Sequence, residues 1–328
     1  MKGTILYTLI YSIGKDVMRA TDEIIKPVRS SPNYEEYFPK FKVLENAVVQ
    51  EIKGRKIIFD LKTFNATNLI VEAETTFNLK DTGSLLELKN TLFEECRKLA
   101  KEYAPSVFFE EYIFFLVSDY DKDIDAYVKR NSHQIAGVLK DEPLALVEKE
   151  VSDTIGNHIK YGQRDIAIID WDGAFLIDGK GEFKDMIAVL ELANIQLLNL
   201  RILDNKLQDQ IAALKKQIEP GDLSSFFKLG PYMKEIIKIR TQSALELENI
   251  DNSIKLYGDW YSGKLYDLAG KKFYLEKWKG TVEKKLNVLK DLFEMVTHIM
   301  TERYNLILEF SIAVMIIFEI IIAFLPLR

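Results

Sequence analysis

The chain has 328 residues, with 44 Lys and Arg against 50 Asp and Glu and a formal net charge of -6 at pH 7, which is length enough for two ordinary domains or for one domain with a long helical extension. That balance argues against a surface built to neutralise nucleic-acid phosphate, so no direct nucleic-acid binding is expected. A lone cysteine, Cys96, excludes an intramolecular disulfide framework and fits a reducing compartment.

Met1-Lys-Gly-Thr-Ile-Leu-Tyr-Thr-Leu-Ile-Tyr-Ser-Ile13 sets a charge ahead of a short apolar run. Thr and Tyr break the run and no small-x-small site follows, so it is expected to be a first β-strand and not a signal peptide, and it lacks the Arg-rich character of a transit peptide. Residues 47–53, 56–64 and 69–77 are β-branched or aromatic runs separated by turn residues, Gly54 and Asn65 among them, and are expected to be strands. Residues 85–103 then carry apolar positions at helical spacing, with Cys96 as a buried structural thiol, and residues 112–117 form another strand. In Asp119-Tyr-Asp121-Lys-Asp123-Ile-Asp125 the aspartates mimic the opening of a calcium loop, but Ile124 stands where the turn needs glycine and Arg130 where a bidentate Glu is needed, so helix capping is expected instead. Ile166-Ala-Ile-Ile-Asp-Trp171, then Asp172-Gly173, then Ala174-Phe-Leu-Ile-Asp178 is expected to be a hairpin closed by a type I′ turn at Asp172-Gly173. Asp165, Asp170, Asp172 and Asp178 around it are expected to serve as turn and edge residues, with an acidic catalytic pair as the less simple reading. Residues 1–182 are therefore expected to form an α+β head with a mixed, largely antiparallel sheet.

From residue 183 to 305 the pattern changes to long helices forming a bundle or coiled-coil stalk. Leu190, Ala193, Leu197, Leu200, Asp204, Leu207, Ile211, Leu214 and Ile218 step by threes and fours, a heptad seam with one polar position, before Pro220-Gly221 ends the helix. Within that helix Glu191, Asn194, Gln196, Arg201 and Asp204 form a dense polar set, a candidate hydrogen-bond network. A second helix is expected from Pro231 to Leu268, with Gly270 and Gly280 loosening the chain before a third. The third carries a candidate helix–helix seam at Leu286, Leu289, Phe293, Val296 and Met300, which fits a bundle packed on the head as well as a coiled coil between chains. Gly258-Asp-Trp-Tyr-Ser-Gly263-Lys264-Leu265 nearly spells a phosphate loop, but Leu265 replaces the magnesium-binding hydroxyl and the segment reads as helix. His133, His158 and His298 show no metal-ligand spacing, and no residue stands out as catalytic, cofactor-binding or metal-ligating.

Residues 306–327 are apolar on every side, and at 1.5 Å per residue they reach roughly 33 Å, enough to cross the hydrocarbon of a bilayer. The Phe, Ile, Leu and Val side chains from Phe310 onward favour insertion by about 5 kcal/mol in sum, against about 3 kcal/mol for Glu319, so insertion wins. Phe310, Ile316, Ile317, Glu319 and Ile320 are the core of this membrane anchor, and Glu319 is expected to face another helix. Lys284, Lys285, Lys290 and Arg303 precede the span and only Arg328 follows, so the expected topology is tail-anchored in the cytoplasmic membrane with the bulk in the cytoplasm.

Asp165-Ile-Ala-Ile-Ile-Asp-Trp-Asp-Gly-Ala174, residues 190–204, Leu256-Tyr-Gly-Asp-Trp-Tyr-Ser-Gly-Lys-Leu-Tyr266, and Arg303 with Leu308-Glu309 leading into Ile316-Ile-Phe-Glu-Ile320 together resemble the Required for Meiotic nuclear Division (RMND/RMD) family, built on a domain of unknown function. The resemblance spans residues 120 to 325. It implies a C-terminally membrane-anchored protein without established catalytic activity, here a prokaryotic member, since the organellar relatives carry transit peptides.

The function expected from the sequence is a non-enzymatic membrane-anchored scaffold or tether that presents its head to a protein partner, as a homo-oligomer and with no cofactor. The alternative is a membrane-bound enzyme with a site around Asp170, Asp172, Glu191, Asn194 and Arg201.

Overall fold

The computed structural model describes residues 2–13, 24–25, 41–65, 67–78, 82–103, 106–120, 123–142, 145–217, 226–252 and 260–324. In chain order the elements are β1 (Lys2–Ser12), β2 (Ile24–Ile25), β3 (Phe41–Ile52), β4 (Arg55–Phe64), β5 (Asn68–Asn78), α1 (Thr82–Ala100), β6 (Phe109–Val117), α2 (Ile124–Arg130), α3 (Ser132–Leu139), α4 (Glu148–Gly156), β7 (His158–Ile159), β8 (Asp165–Ile169), β9 (Gly173–Asp178), α5 (Lys184–Gln217), α6 (Phe226–Asn252), α7 (Trp260–Lys272) and α8 (Leu275–Phe324). This is the α+β arrangement expected: a mixed, largely antiparallel sheet with helices, then long helices ending in an apolar one. Pro220, Gly221, Ile218, Asp121 and residues 256–259 lie outside the described residues.

The strands form one sheet in the order β2-β3-β4-β5-β1-β6-β9-β8-β7, antiparallel throughout except between β6 and β9. β1 is central and buried on both faces. Its odd residues Ile5, Tyr7, Leu9 and Tyr11 join Leu85, Leu88, Leu92 and Cys96 of α1 and Ile135 and Leu139 of α3, whereas Ile10 turns to the opposite face with Phe64, Ile70, and Leu192, Ile195 and Leu198 of α5. Strict alternation of side chains along a strand makes one segment serve two cores. Cys96 is fully buried, as expected of a structural thiol, and burial pushes its pKa far above the ordinary range.

The structure corrects the turn chemistry expected at the second hairpin. β8 and β9 do pair, but the turn residues are Trp171 and Asp172, with the Asp170 N–H donating to the Gly173 carbonyl at 2.9 Å, and neither Asp172 nor Gly173 has positive φ. Gly173 opens β9 beside Ile113, and a Cβ there would lie 2.7 Å from the Ile113 carbonyl and side chain, so glycine is needed for close approach and not for a left-handed turn. The turn with positive φ at both central residues joins β3 to β4, at Lys53 (52°) and Gly54 (73°). At the start of α2 the Asp123 carboxylate accepts the N–H groups of Asp125 and Ala126, the capping role expected of the aspartate run.

Two further expectations change in the helical part. α6 begins at Phe226, so Pro231 lies inside it, and Gly270 and Gly280 are both helical. The break between α7 and α8 falls instead at Phe273 and Tyr274, where Tyr274 takes a φ of 51° while Phe273 is buried against Tyr112 and Trp171.

The chain forms two compact units, Met1–Ile202 with Asn249–Trp278 and Leu203–Glu248 with Lys279–Arg328. The first holds the sheet. In the second, Leu207, Ile211 and Leu214 of α5, Ile236, Ile239 and Leu247 of α6, and Leu289 and Val296 of α8 are buried, with Leu286, Phe293 and Met300 half-buried. Asp204, the polar seam position, pairs with Lys285 at 2.8 Å. Beyond Arg303, every side chain through Ile322 is exposed.

Gly173→Ala is expected to destabilise the protein by about 1–3 kcal/mol, the cost of forcing a methyl group against main chain, as read from chemical unfolding of the detergent-solubilised protein.

Candidate functional site

The face of the sheet given to α5 is not purely apolar. Lys62 of β4, Ile70 of β5, Ile10 of β1 and Glu110 of β6 lie in one row across four strands, three strand spacings or roughly 14 Å from end to end. Along α5, Glu191 and Arg201 are ten residues apart, roughly 15 Å of helix. Glu191 accepts from Lys62 at 2.7 Å, and Arg201 pairs with Glu110. Ten residues are 80° short of whole turns, and the long guanidinium arm makes up the difference. The helix therefore fits this face in one register. Lys62 also meets Glu72 at 3.0 Å, so one buried ammonium serves two carboxylates. Burial pulls the Lys62 pKa down, but Glu191 and Glu72 outweigh it, while burial pushes the Glu191 carboxyl up despite Lys62.

The candidate polar set on α5 does not form one network. Glu191 goes to Lys62, and the Asn194 amide donates to the Leu190 carbonyl of its own helix at 2.9 Å. Gln196 donates to the Ile250 carbonyl at 2.9 Å and accepts from the Tyr266 hydroxyl, Arg201 goes to Glu110, and Asp204 goes to Lys285. At 100° per residue only Asn194 and Arg201, seven residues apart, fall on nearly the same side of the helix, while Glu191, Gln196 and Asp204 point in other directions, so spacing in sequence did not mean convergence of the whole set in space.

Of the residues named for an enzymatic site, Asp172, Asn194 and Arg201 do meet, in a pocket of about 340 Å³. Its walls are the run from Val107 to Glu111, the hairpin turn with Trp171 and Asp172, and Asn194, Leu197 and Arg201 of α5. Glu191 and Asp170 lie elsewhere. Asp170, 2% exposed, is held by Lys140 at 3.2 Å, Lys272 at 3.3 Å and the Trp171 N–H at 2.8 Å, while its carbonyl accepts from the Tyr112 hydroxyl. It is a clamp for the turn and not a solubilising edge residue. Asp165 and Asp178 do serve turns, accepting main-chain N–H groups of Tyr161, Gly162 and Lys180.

The pocket also has a main-chain wall. Ile113 donates its N–H to the Asp172 carbonyl at 3.2 Å, so the odd-numbered residues of β6 turn their main-chain groups toward β9 while the even-numbered ones pair with β1. β9 begins opposite Ile113, which leaves the N–H and C=O of Phe109 and Glu111 on an edge with no neighbouring strand among the described residues.

Two carboxyls of the pocket are pushed up. Burial raises Glu110 even with Arg201 beside it, and burial raises Asp172, with Lys89 opposing and Asp141, Glu111 and Asp170 adding to the rise. Among the described residues no three His, Cys, Asp or Glu side chains are grouped so as to hold a metal ion.

Phe109, Glu110, Glu111 and Trp171 were not singled out by sequence reasoning. The available signal was Glu110-Glu111 at the start of an otherwise apolar strand, two charges that a strand buried on both faces has to account for.

Lys62→Met is expected to cost about 3–5 kcal/mol because it strands Glu191 without its cation, and Lys62→Met with Glu191→Leu is expected to recover most of that loss in the same unfolding assay. Asp172 gives a pH signature. Its folded pKa lies above the ordinary 3.8, so its contribution is fully present below that value and is lost as pH rises through the raised one. Asp172→Asn is therefore expected to raise the melting temperature at neutral pH, with the gap closing toward pH 4.

Residues 59–184, from within β4 to the first residue of α5, match the family described as "Uncharacterized protein MJ0711, N-terminal domain". That stretch carries the β6 and hairpin walls of the pocket but not the α5 wall. Over 324 residues the chain is 30% identical to "Uncharacterized protein MJ0711" of Methanocaldococcus jannaschii, spanning 98% of this chain and 97% of that protein. No solved structure matches the chain. With near end-to-end coverage at this identity, the chain belongs to the MJ0711 family.

Proposed function

We propose that this protein is a membrane-anchored scaffold or tether: the end of α8 inserts in a bilayer, and the α+β unit receives a protein partner on the cytoplasmic side. One observation carries the reading. Two helices are long and apolar enough to cross a membrane, but the apolar window of Lys184–Lys216, with mean hydropathy 1.5, is 78% buried, whereas that of Leu275–Ile322, with mean hydropathy 2.3, is 0% buried. The first has a protein core to explain its composition, and the second has none among the described residues. An exposed run of this size costs a water-soluble protein far more than scattered surface leucines do, and lipid removes the cost.

The four cations Lys284, Lys285, Lys290 and Arg303 ahead of the run support a cytoplasmic location for the preceding chain. The resemblance to the RMND family over residues 120 to 325 supports the same reading, since that family carries a C-terminal anchor. With Leu289 and Val296 already buried inside the single chain, the surface left for pairing with a second copy is the apolar end of α8, where Glu319 gains from facing another helix. The alternative, an enzyme around Asp170, Asp172, Glu191, Asn194 and Arg201, has the support of three of those side chains in one pocket. Arg201 there is already paired, and the proposal is binding.

Expressed at its full length, the protein is expected to stay with membranes through alkaline carbonate extraction. Ile316→Asp with Ile317→Asp should release it, since each central Asp adds about 2.5–3.5 kcal/mol to an insertion favoured by only a few. Glu319→Leu should keep the chain in the membrane while lowering its assembly on blue-native gels. A wild-type chain fully extracted by carbonate overturns the anchor, and unchanged assembly of Glu319→Leu overturns the contact.

A further inference from the structure

The pocket offers an incoming ligand main chain as well as side chains. The N–H and C=O groups of Phe109 and Glu111 lie on the stretch of β6 that β9 does not reach, and an open strand edge is a template for another extended chain. The side chains decide which chain fits. Glu111 turns to the α1 face of the sheet, where one carboxylate oxygen accepts the Tyr7 hydroxyl at 2.6 Å and the other has Lys89 at 3.6 Å. Lys89 is closer to Asp141, at 2.8 Å, and Asp172 acts on the same ammonium. Two carboxylates thus share one cation, with Asp172 on the same pocket wall and no cation paired to it among the described residues, beside the exposed rings of Phe109 and Trp171. On the other side of the edge Arg201 is taken by Glu110. Asn194, 2% exposed, gives its N–H to Leu190, which leaves its amide oxygen without a partner among the described residues.

We propose that the pocket binds an extended peptide segment, added as a short strand along β6 at Phe109 and Glu111, with a lysine or arginine placed opposite Glu111 to meet Glu111 and Asp172. The proposal rests on the reading of this unit as the partner-binding head, and names the chemistry of the partner. Donors and acceptors repeating at alternate residues, roughly 6.8 Å apart along the strand, match a peptide main chain better than a compact small molecule. The basic side chain supplies a second cation to a group of carboxylates that has only Lys89, and the apolar residues beside it cover Phe109 and Trp171.

A phage-displayed library of short random peptides, selected on the full-length protein in nanodiscs, tests this. Selected sequences are expected to share one Lys or Arg flanked by β-branched residues. A synthesised member should slow amide hydrogen exchange at Phe109 and Glu111, and should lose binding when the amides next to its basic residue are N-methylated. Its binding should weaken about tenfold on Asp172→Asn or Glu111→Gln, the loss of one charge-assisted contact. Because Asp172→Asn is expected to stabilise the fold, weakened binding there is not misfolding. No enrichment over empty nanodiscs, enrichment of acidic peptides, protection elsewhere in the chain, or indifference to N-methylation overturns the proposal. Vesicle flotation of the same preparation reports the anchor separately: protein that floats but selects no peptide loses this inference alone, and protein that selects peptides without floating loses the membrane reading alone.

Discussion

A sheet that buries charge on one of its faces can be covered only by a helix that brings the opposite charges at the same spacing. Here Lys62 and Glu110 stand at the two ends of a row across four strands, and α5 brings Glu191 and Arg201 the same distance apart, with Leu192, Ile195 and Leu198 packed on Ile10 and Ile70 between them. Sliding the helix by one turn, 5.4 Å, would take Glu110 away from Arg201 and leave Glu191, 1% exposed, buried without its cation, at several kcal/mol. Buried ion pairs add little net stability compared with apolar packing, but they penalise every wrong register, and that is the role they have here.

Fixing α5 also fixes the pocket. Arg201 and Asn194 reach it because the helix cannot shift along the sheet, and the opposite wall is fixed by different means. Asp170 is gripped by two lysines, from the end of α3 and the end of α7, and by the N–H of the residue that follows it. Gly173 lets β9 come close to β6, and because β9 starts only there, the edge of β6 before Ile113 stays open. The concavity therefore follows from one strand beginning late beside a longer one.

The two apolar helices show how composition and context divide the work. Both satisfy a length and hydropathy test for crossing a membrane, yet α5 spends its apolar residues on protein contacts and carries partnered polar residues among them, whereas α8 runs on past its last buried seam position, Val296, into a stretch without protein around it. The same side chains that make α5 a core element make the end of α8 a segment in need of another solvent.

Local, periodic features were legible in the sequence. A short apolar run marked β1, β-branched and aromatic runs bounded by turn residues marked β4 and β5, helical spacing marked α1 and the seams of α5 and α8, Asp123 read as a cap, Cys96 as a buried thiol, and the run after Phe310 as apolar on all sides. These follow from short-range sterics, main-chain hydrogen bonding and burial of one face, which a few neighbouring residues decide. What the sequence left open was every relation between distant segments. The hairpin at Asp172-Gly173 was foreseen but not its reason, because Gly173 answers to Ile113, sixty positions away in the chain. The polar residues of α5 looked like one cluster and turned out to have five separate partners, because each partner depends on what lies beside that turn: a strand for Glu191 and Arg201, other helices for Gln196 and Asp204, and the main chain of α5 itself for Asn194. Only the tertiary structure placed Glu110 and Glu111 beside Asp172, Asn194 and Arg201. A pocket is set by where chain segments stop relative to one another, and pairing between strands fixes that where the pattern within any one of them cannot.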